Sequence, residues 1–271
     1  MRSTRNDGPF VTLLAQWVEA HAGLHYEERD LDLFAERARL RASDAGFESL
    51  LDYYYALRYD DPDRRELEQL VEALVVSETY FFRELPPMSA LIETLLPAIR
   101  RGERPRVWSA ACATGEEPIT LAILLEQRGL GDAIELVASD ISERALERAR
   151  RGEYGVRAHR ALPPTGLPPW VEVRDGRARV EDSLRTRIEW RRVNLLDADE
   201  VAALGTFDAI LCRNVLIYFS DQTVRSVVGH LASALRPGGR LLVGISESLL
   251  RFGTALRCEE RAGAFFYRCG Q

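Results

Sequence analysis

The chain has 271 residues, 46% of them hydrophobic and 29% charged, which suits a globular protein with one large domain or a medium and a small one. No apolar run approaches the roughly 20 residues that span a bilayer, and the N-terminal MRSTRNDGPF lacks the apolar core of a secretory signal, so we expect no membrane insertion and a cytoplasmic location. The net charge of −6 disfavours a nucleic-acid partner, and the four cysteines lack metal-ligand spacing, so we expect reduced thiols and no metal.

Residues 1–76 predict only helices, which we expect to form a small all-helical domain. Apolar residues recur at helical spacing in three stretches, and a fourth, charged helix is expected over residues 30–42. The helix that carries Leu67 to Leu74 has a typical N-terminal sequence, because Asp61 is a common N-cap residue and Pro62 suits the first helical position. The three apolar stripes are Phe10, Leu13, Leu14 and Trp17; Phe47, Leu50, Leu51, Tyr54 and Leu57; and Leu67, Leu70, Val71 and Leu74.

Residues 77–89 are expected to link this domain to a second one over residues 90–271. Pro86 and Pro87 open an amphipathic helix that continues through Ile99. After it, helices alternate with strands, which predicts an α/β fold with a doubly wound, mostly parallel sheet. The predicted strands are RVWSA, IELVAS, FDAILC, RLLVGI and AFFYRC, and the predicted helices cover 116–128, 143–151 and 221–236, the last broken by Pro237-Gly238-Gly239.

The alternation of helices and strands fails between Tyr154 and Trp190. This stretch contains VEVRDGRARV, an alternating pattern around Asp-Gly, which predicts an inserted β-hairpin subdomain over about 155–190. It overlaps a basic cluster, because residues 144–192 hold 13 Arg and 7 acidic residues, a net charge of +6, whereas residues 1–76 hold 9 Arg and 16 acidic residues, a net charge of −7. The basic cluster is either a solvated face or a docking surface for an acidic partner.

The segment VWSAACATGEEP leads from a predicted strand into a predicted helix, the crossing where doubly wound sheets bind ligands. It lacks G-x-G-x-x-G, which argues against a dinucleotide, but small residues such as Ala111 and Gly115 still let a ligand approach the backbone. Glu116 and Glu117 place negative charge there, which suits a cationic ligand such as S-adenosylmethionine (SAM). Thr114 and Glu117 also have the spacing of a capping box, and the two roles are compatible.

Asp140 ends the next predicted strand, 25 residues after Gly115. An acid at this position can accept both hydroxyls of a ribose. Asp after a strand is also common as a turn or cap residue, so the position indicates a nucleoside site only together with the small-residue loop.

Four segments together resemble the chemotaxis-receptor glutamate methyltransferases, the CheR family, whose SAM-binding domain has the class I methyltransferase (Rossmann-like) fold. They are SETYFFRE (77–84), VWSAACATGEEP (107–118), VNLL (193–196) and CRNVLIYF (212–219). The helix-strand turn in ALRPGGRLLV is also similar to one that recurs in class I methyltransferases. The order of a helical N-terminus, an α/β domain and an inserted hairpin matches that family's architecture.

The resemblance implies that Arg83 and Tyr218 lie nearest the transferred methyl and act in catalysis. It places Asp140 at the ribose, Asn194 and Leu195 on the adenine side, and Arg213 and Asn214 where the pocket closes. Tyr218 has a structural alternative as an interdomain packing residue. The full set of implied cofactor-binding residues is Ser77, Thr79, Arg83, Ala111, Gly115, Glu116, Glu117, Asp140, Asn194, Leu195, Arg213 and Asn214.

The implied reaction transfers methyl from SAM to glutamate carboxylates of a chemoreceptor cytoplasmic domain, giving methyl esters and S-adenosylhomocysteine. We expect a monomer, and the family implies an opposing methylesterase. Ser77 stands where relatives usually carry Asn, and Ile119 where they carry Tyr. The N-terminal region is acidic where theirs is basic, and the short hairpin turn argues against binding of a receptor tether peptide.

Two other functions stay open from the sequence. The Ser77 and Ile119 departures would suit a non-catalytic SAM-binding scaffold in a signalling array, and the fold alone also allows a small-molecule substrate. A base-amine methyltransferase is disfavoured, because Asn214 is followed by Val215 and Leu216 rather than by Pro-Pro-Tyr/Phe.

Overall fold

The computed structural model describes residues 8–161 and 168–270. The chain divides into two compact units. The first comprises the described residues up to Val76 together with the segment Tyr218–Thr223, and the second comprises Ser77–Ile217 and the described residues from Val224 onward. The stretch 77–89, expected as a linker, therefore falls within the second unit.

The first unit is built from four α-helices around a small apolar core. A π-helical turn, Ala56–Asp60, extends the third helix. The apolar stripes face inward, since Leu14, Phe34, Leu50 and Leu70 are all buried. The helices are α1 (Gly8–Ala22), α2 (Leu31–Asp44), α3 (Leu50–Tyr55) and α4 (Arg65–Leu74).

The start of α4 differs from the prediction. Asp61 is not its N-cap, because the helix begins three residues after Pro62, and the residue before it, Arg64, has φ 56°. Asp61 still satisfies a donor of the first turn, since its Oδ2 accepts from the N–H of Leu67 at 2.9 Å. The carboxylate reaches past the turn instead of capping it locally.

The second unit has the expected alternation of helices and strands. In chain order its elements are α5 (Leu85–Arg100), β1 (Arg106–Ala110), α6 (Glu116–Glu126), β2 (Glu135–Asp140), α7 (Glu143–Arg151), β3 (Glu153–Tyr154), β4 (Val171–Arg174), β5 (Arg177–Val180), α8 (Asp182–Arg185), β6 (Ile188–Arg192), α9 (Ala198–Ala203), β7 (Phe207–Cys212), α10 (Asp221–Ser233, which begins in the first unit), β8 (Leu235–Val243), β9 (Arg257–Arg261) and β10 (Ala264–Arg268).

Seven strands form one sheet in the order β6-β2-β1-β7-β8-β10-β9. The first five run parallel, and β10 pairs antiparallel with both β8 and β9. Four of the five residues of β1 are buried, as in parallel strands covered on both faces. The doubly wound α/β prediction is thus confirmed, and the strand order reverses at β1, between β2 and β7, where such sheets bind ligands.

The predicted hairpin is confirmed as the pair β4 and β5, which lie with β3 in a separate three-stranded antiparallel sheet. Its turn residues Asp175 and Gly176 have φ of 48° and 71°, the positive values that a two-residue hairpin turn requires. Residues 162–167, within the predicted subdomain, lie outside the described residues.

The helix predicted over 221–236 ends earlier than expected. Helix α10 stops at Ser233, and Pro237-Gly238-Gly239 lies inside β8 instead of breaking a helix. The pairing of β7 with β8 shifts register between Phe207 and Ala209, so an irregularity in the ladder accommodates the proline.

Candidate functional site

The loop after β1 has an unusual backbone conformation. Ala111, Ala113 and Gly115 have φ of 54°, 49° and 89°, in the left-handed region that non-glycine residues seldom adopt. The N–H of Cys112 donates to the carbonyl of Ser139 at 2.9 Å, and the N–H of Gly115 donates to the carbonyl of Cys112 at 3.0 Å. The loop is therefore held against the carboxyl end of β2.

Gly115 occupies a position that no other residue fits. A Cβ there would lie 2.6 Å from the Cβ of Ala149 and 2.8 Å from Cη2 of Trp190. Ala149 is on α7, and Trp190 is on β6. The glycine thus lets the loop pack directly against two neighbouring elements, a close approach that only a residue without Cβ allows.

Asp140 ties the loop to the end of β2. Its Oδ2 accepts from the N–H of Ala113 at 2.8 Å, and its Oδ1 accepts from the N–H of Ser142 at 2.9 Å. The side chain is buried. Each carboxylate oxygen has two lone pairs, so an acid in this position has the capacity to accept a ligand hydroxyl in addition to a backbone N–H.

The two glutamates after Gly115 have different environments. Glu116 is buried, and its Oε2 accepts from Oγ1 of Thr114 at 2.6 Å; burial raises the pKa of this carboxyl above its ordinary value. Glu117 accepts instead from Oγ of Ser109 at 2.8 Å. The predicted capping box is wrong, because the N-cap of α6 is Gly115 and no side chain caps it.

Arg213 follows β7 and joins two acids from distant parts of the sequence. Its Nη1 donates to Glu117 at 2.8 Å, and its Nη2 donates to Glu84 at 2.9 Å and to the carbonyl of Arg83 at 3.0 Å. The side chain is only 1% exposed. Burial would lower the pKa of this guanidinium, but the charges and hydrogen bonds of Glu117 and Glu84 raise it overall. Arg213 thus fixes the backbone at Arg83.

Arg83 and the residues before it lie on a tightly turned segment. Phe82 and Glu84 have φ of 61° and 50°, and the N–H of Phe82 donates to Oγ1 of Thr120 at 3.1 Å. The Arg83 side chain is half-buried; it reaches the carbonyl of Glu78 at 3.3 Å and lies 5.7 Å from the centre of the Tyr80 ring. Thr79 is half-buried, and Ser77 is exposed.

Glu247 is a residue of this site that the sequence did not reveal. Its Oε2 accepts from the N–H groups of Asn214 at 2.7 Å and Gly244 at 2.8 Å, and its Oε1 accepts from the N–H of Ile217 at 3.3 Å. The carboxylate is 7% exposed. It fastens the loops after β7 and β8 to each other and stabilises Asn214, whose φ is 60°.

Asn194 and Leu195 follow β6 and are also fixed by hydrogen bonds. The N–H of Asn194 donates to Oε2 of Glu200 at 2.7 Å, and its Oδ1 accepts from the N–H of Leu196 at 3.1 Å. Leu195 is buried, and its carbonyl lies 2.9 Å from Nδ1 of His230. This pair therefore stands at the carboxyl edge of the same sheet as Asp140.

Tyr218 belongs to the first unit, in the segment Tyr218–Thr223. Its carbonyl accepts from the N–H of His25 at 2.8 Å, and the next residue, Phe219, forms a β-bridge with Leu24. These contacts hold the backbone at Tyr218, and its position beside the transferred methyl stays a prediction.

The second unit also carries two clefts on its three-stranded sheet, of about 710 and 490 Å³. Arg179 and Glu172 line both, and no residue of the predicted cofactor site lines either. Among residues 8–161 and 168–270, no group of three or more His, Cys, Asp and Glu side chains could hold a metal ion. Within the same ranges, no helix is both long and apolar enough to cross a membrane.

The residues at the carboxyl edge of the sheet fit SAM. The loop around Gly115 brings its backbone against the buried carboxylate of Asp140, at the sheet edge where doubly wound folds hold a nucleoside. Nε of Arg213 is a buried donor with no hydrogen-bond partner among the described residues, so a ligand acceptor would satisfy it. The acids Glu116, Glu117 and Asp140 suit a cationic ligand better than a phosphate.

Known proteins give a consistent set of similarities. Residues 77–263 match the family described as CheR methyltransferase, SAM binding domain. Chemotaxis protein methyltransferase 2 of Vibrio cholerae is 35% identical over 239 residues, which cover 86% of this chain and 83% of the relative. Chemotaxis protein methyltransferase 1 of Pseudomonas aeruginosa is 39% identical over 193 residues, 67% of this chain and 70% of the relative. A chemotaxis protein methyltransferase of Vibrio parahaemolyticus is 40% identical over 187 residues, 66% and 67% of the two chains.

Proposed function

Because this chain belongs to the CheR methyltransferase family, and is therefore a SAM-dependent methyltransferase of chemotaxis, we propose that it methylates glutamate carboxylates of a chemoreceptor cytoplasmic domain. The products are glutamate methyl esters and S-adenosylhomocysteine. The chemoreceptor is the partner in this proposal. The opposing methylesterase is implied by the family, and the monomeric state stays a prediction.

The observation that carries the proposal is the ion-paired group Glu117–Arg213–Glu84. It connects the start of α6, beside the cofactor loop, to the backbone of Arg83 through bonds of 2.8 to 3.0 Å. Arg213 is 1% exposed and bonded to both acids, and removing one partner of a buried ion pair is strongly destabilising, so these contacts constrain the backbone at Arg83. We infer that they set Arg83 at a fixed position relative to the SAM pocket.

SAM, when bound, supplies a methyl group on a positively charged sulfur, which a carboxylate oxygen can attack directly. The loop around Gly115 and the carboxylate of Asp140 hold the nucleoside part, with Asn194 and Leu195 on the adenine side. Arg83 orients the target carboxylate, and Tyr218 is the second residue assigned to this step. These residues contribute positioning, which can lower a barrier by roughly 7–11 kcal/mol.

No general base is required for this reaction. A free glutamate has a pKa of about 4.3 and is ionised at neutral pH. A C–O bond forms as the S–C bond breaks, S-adenosylhomocysteine leaves, and no proton moves. Arg83 must therefore orient the carboxylate without removing its nucleophilicity, which favours the planar guanidinium fork over a lysine ammonium.

The test combines methyl-labelled SAM with the purified cytoplasmic domain of a chemoreceptor, and counts label released as volatile methanol after mild base. The proposal expects base-labile label on the receptor, lost in Asp140→Ala. Asp132→Ala is the matched control, because Asp132 lies before β2 and is 93% exposed, whereas Asp140 ends the same strand and is buried.

Two results would overturn the proposal. SAM binding without transfer to any of several receptors would favour the scaffold function, and base-stable label on another acceptor would identify a different substrate. The role of Arg83 has its own test. Full activity and unchanged receptor affinity in Arg83→Lys would exclude a requirement for the planar guanidinium to orient the target carboxylate.

A further inference from the structure

Two exposed isoleucines lie on the loops after β7 and β8. Ile217 is 56% exposed and Ile245 is 74% exposed. Single exposed apolar side chains are common on protein surfaces. These two differ because hydrogen bonds to their backbones fasten both to the site described above.

Glu247 holds the two loops together. It accepts the N–H of Ile217 at 3.3 Å and the N–H of Gly244, directly before Ile245, at 2.8 Å. A Cβ on Gly244 would lie 2.7 Å from both Oε2 of Glu247 and Nδ2 of Asn214, so a larger residue would have to displace these side chains from the junction. Burying a carboxylate is unfavourable unless hydrogen bonds compensate it, and here three backbone donors do so.

A second chain of hydrogen bonds links the backbone of Ile245 to that of Arg83. The N–H of Ile245 donates to Oε2 of Glu84 at 3.4 Å. The same oxygen accepts from Nη2 of Arg213 at 2.9 Å, and that nitrogen also donates to the carbonyl of Arg83 at 3.0 Å. The backbone of Ile245, which carries an exposed aliphatic side chain, is thus linked through Glu84 and Arg213 to the backbone of the arginine assigned to the target carboxylate.

A cation beside exposed aliphatic groups suits a carboxylate that has apolar neighbours. On a helix, the neighbours of a residue on the same face are three and four positions away. We propose that Ile217 and Ile245 form a docking rim for the receptor segment that carries the target glutamate, taken as a helix, and contact apolar side chains one turn away from that glutamate. This proposal rests on the proposed function, and its occupant is the receptor segment that carries the glutamate.

The docking rim also has a physical role in the reaction. Apolar contacts around the glutamate exclude water from its carboxylate, and electrostatic interactions strengthen where water is excluded. Arg83 can then orient the carboxylate more strongly than it would in open solvent. The rim therefore selects which receptor glutamates are methylated, by the side chains that flank them.

The main variant is Ile245→Ser, because that side chain is largely exposed and its loss should leave the fold intact. Phe265→Ser is the matched control, since Phe265 is 64% exposed on β10, near the sheet edge. We expect Ile245→Ser to weaken binding of a receptor cytoplasmic fragment about tenfold, since burying an aliphatic side chain contributes roughly this much or more. The KM for the fragment should rise by the same factor, while SAM affinity and Tm stay unchanged.

Binding of the fragment is measured directly, by titration in the presence of S-adenosylhomocysteine, so that the result does not depend on catalysis. A double-mutant cycle then pairs Ile245→Ser with a receptor variant that carries serine in place of the apolar residue one turn from the target glutamate. If the two side chains touch, the effects of the two changes are not additive.

The possible outcomes separate the two proposals. Binding that depends on Ile245 without methyl transfer would refute the proposed function and keep the docking rim. Equal binding and equal KM in the wild type, Ile245→Ser and Phe265→Ser would overturn the rim, as would additivity in the cycle or no binding by the wild type. Concentration-dependent self-association that Ile245→Ser abolishes would identify the occupant as a second copy of this chain, and would also overturn it.

Discussion

Replacing Gly115 by alanine should destabilise the second unit and weaken SAM binding together. The new Cβ would lie 2.6 Å from the Cβ of Ala149 and 2.8 Å from the Trp190 ring. Neither is the end of a flexible side chain: Ala149 is fixed to its helix, and the Nε1 of Trp190 donates to the carbonyl of Arg185 at 3.1 Å. The backbone of the loop must therefore move.

The magnitude has two parts. At φ 89°, a residue with a Cβ costs about 1–2 kcal/mol of backbone strain, and overpacking a tight contact costs about 1–3 kcal/mol more. We expect a loss of about 2–5 kcal/mol in the free energy of unfolding. Because about 1.4 kcal/mol is a factor of ten in affinity, displacement of the loop should weaken SAM binding about tenfold or more.

Gly129→Ala is the control for the strain alone. Gly129 has φ 67° and no atom within 4 Å of an added Cβ, so it should lose only about 1–2 kcal/mol and bind SAM normally. Urea unfolding followed by circular dichroism, with titration calorimetry for SAM, measures both quantities. If Gly115→Ala lost no more stability than Gly129→Ala and bound SAM equally well, close packing at Gly115 would have no role in the site.

Three further outcomes follow from the buried charges. Arg213→Met should lower the free energy of unfolding by about 3–5 kcal/mol, because it leaves Glu84 and Glu117 without their shared cation; urea unfolding measures the loss. Glu116→Gln should raise Tm at pH 7, because burial raises the pKa of Glu116 in the folded protein. The wild type therefore loses stability as pH rises from about 4.3, the pKa in the unfolded chain, through the raised pKa of the folded state. Below about pH 4 both variants are uncharged at this position, and the advantage of Gln should vanish. Glu247→Ala should raise the KM for the receptor, whereas Glu247→Gln should keep the KM near the wild-type value, because the amide oxygen can still accept the two N–H groups now bound by Oε2. Steady-state kinetics measures both variants. Equal KM values for the Ala and Gln variants would contradict the prediction.

Local patterns predicted the fold of the second unit well. The alternation of VEVRDGRARV and the Asp175-Gly176 turn act within ten residues, and the hairpin forms as predicted. The buried apolar runs of β1, β2, β7 and β8 likewise became parallel strands. The periodicity that predicts an element is a property of its own residues, so no distant contact was needed to infer it.

Predictions failed where a polar side chain bonds to a partner that is far away in the sequence. Thr114 and Glu117 have capping-box spacing, but Glu117 pairs with Arg213, 96 residues away. Glu247 and Glu84 were missed because each has a partner far away in the sequence: Glu247 accepts from the N–H of Asn214, 33 residues earlier, and Glu84 pairs with Arg213, 129 residues later. No spacing in the sequence marks such contacts, since only the sheet order brings the carboxyl ends of β1, β7 and β8 together.

The assignment of Tyr218–Thr223 to the first unit means that the chain passes between the units three times, after Val76, after Ile217 and after Thr223. The helical unit is therefore not a detachable N-terminal module. Exchange of residues 1–76 between relatives by recombination would separate the bridge partners Leu24 and Phe219 unless the hexapeptide were exchanged too. The N-terminal helices and the segment Tyr218–Thr223 therefore form one structural unit, although about 140 residues of sequence lie between them.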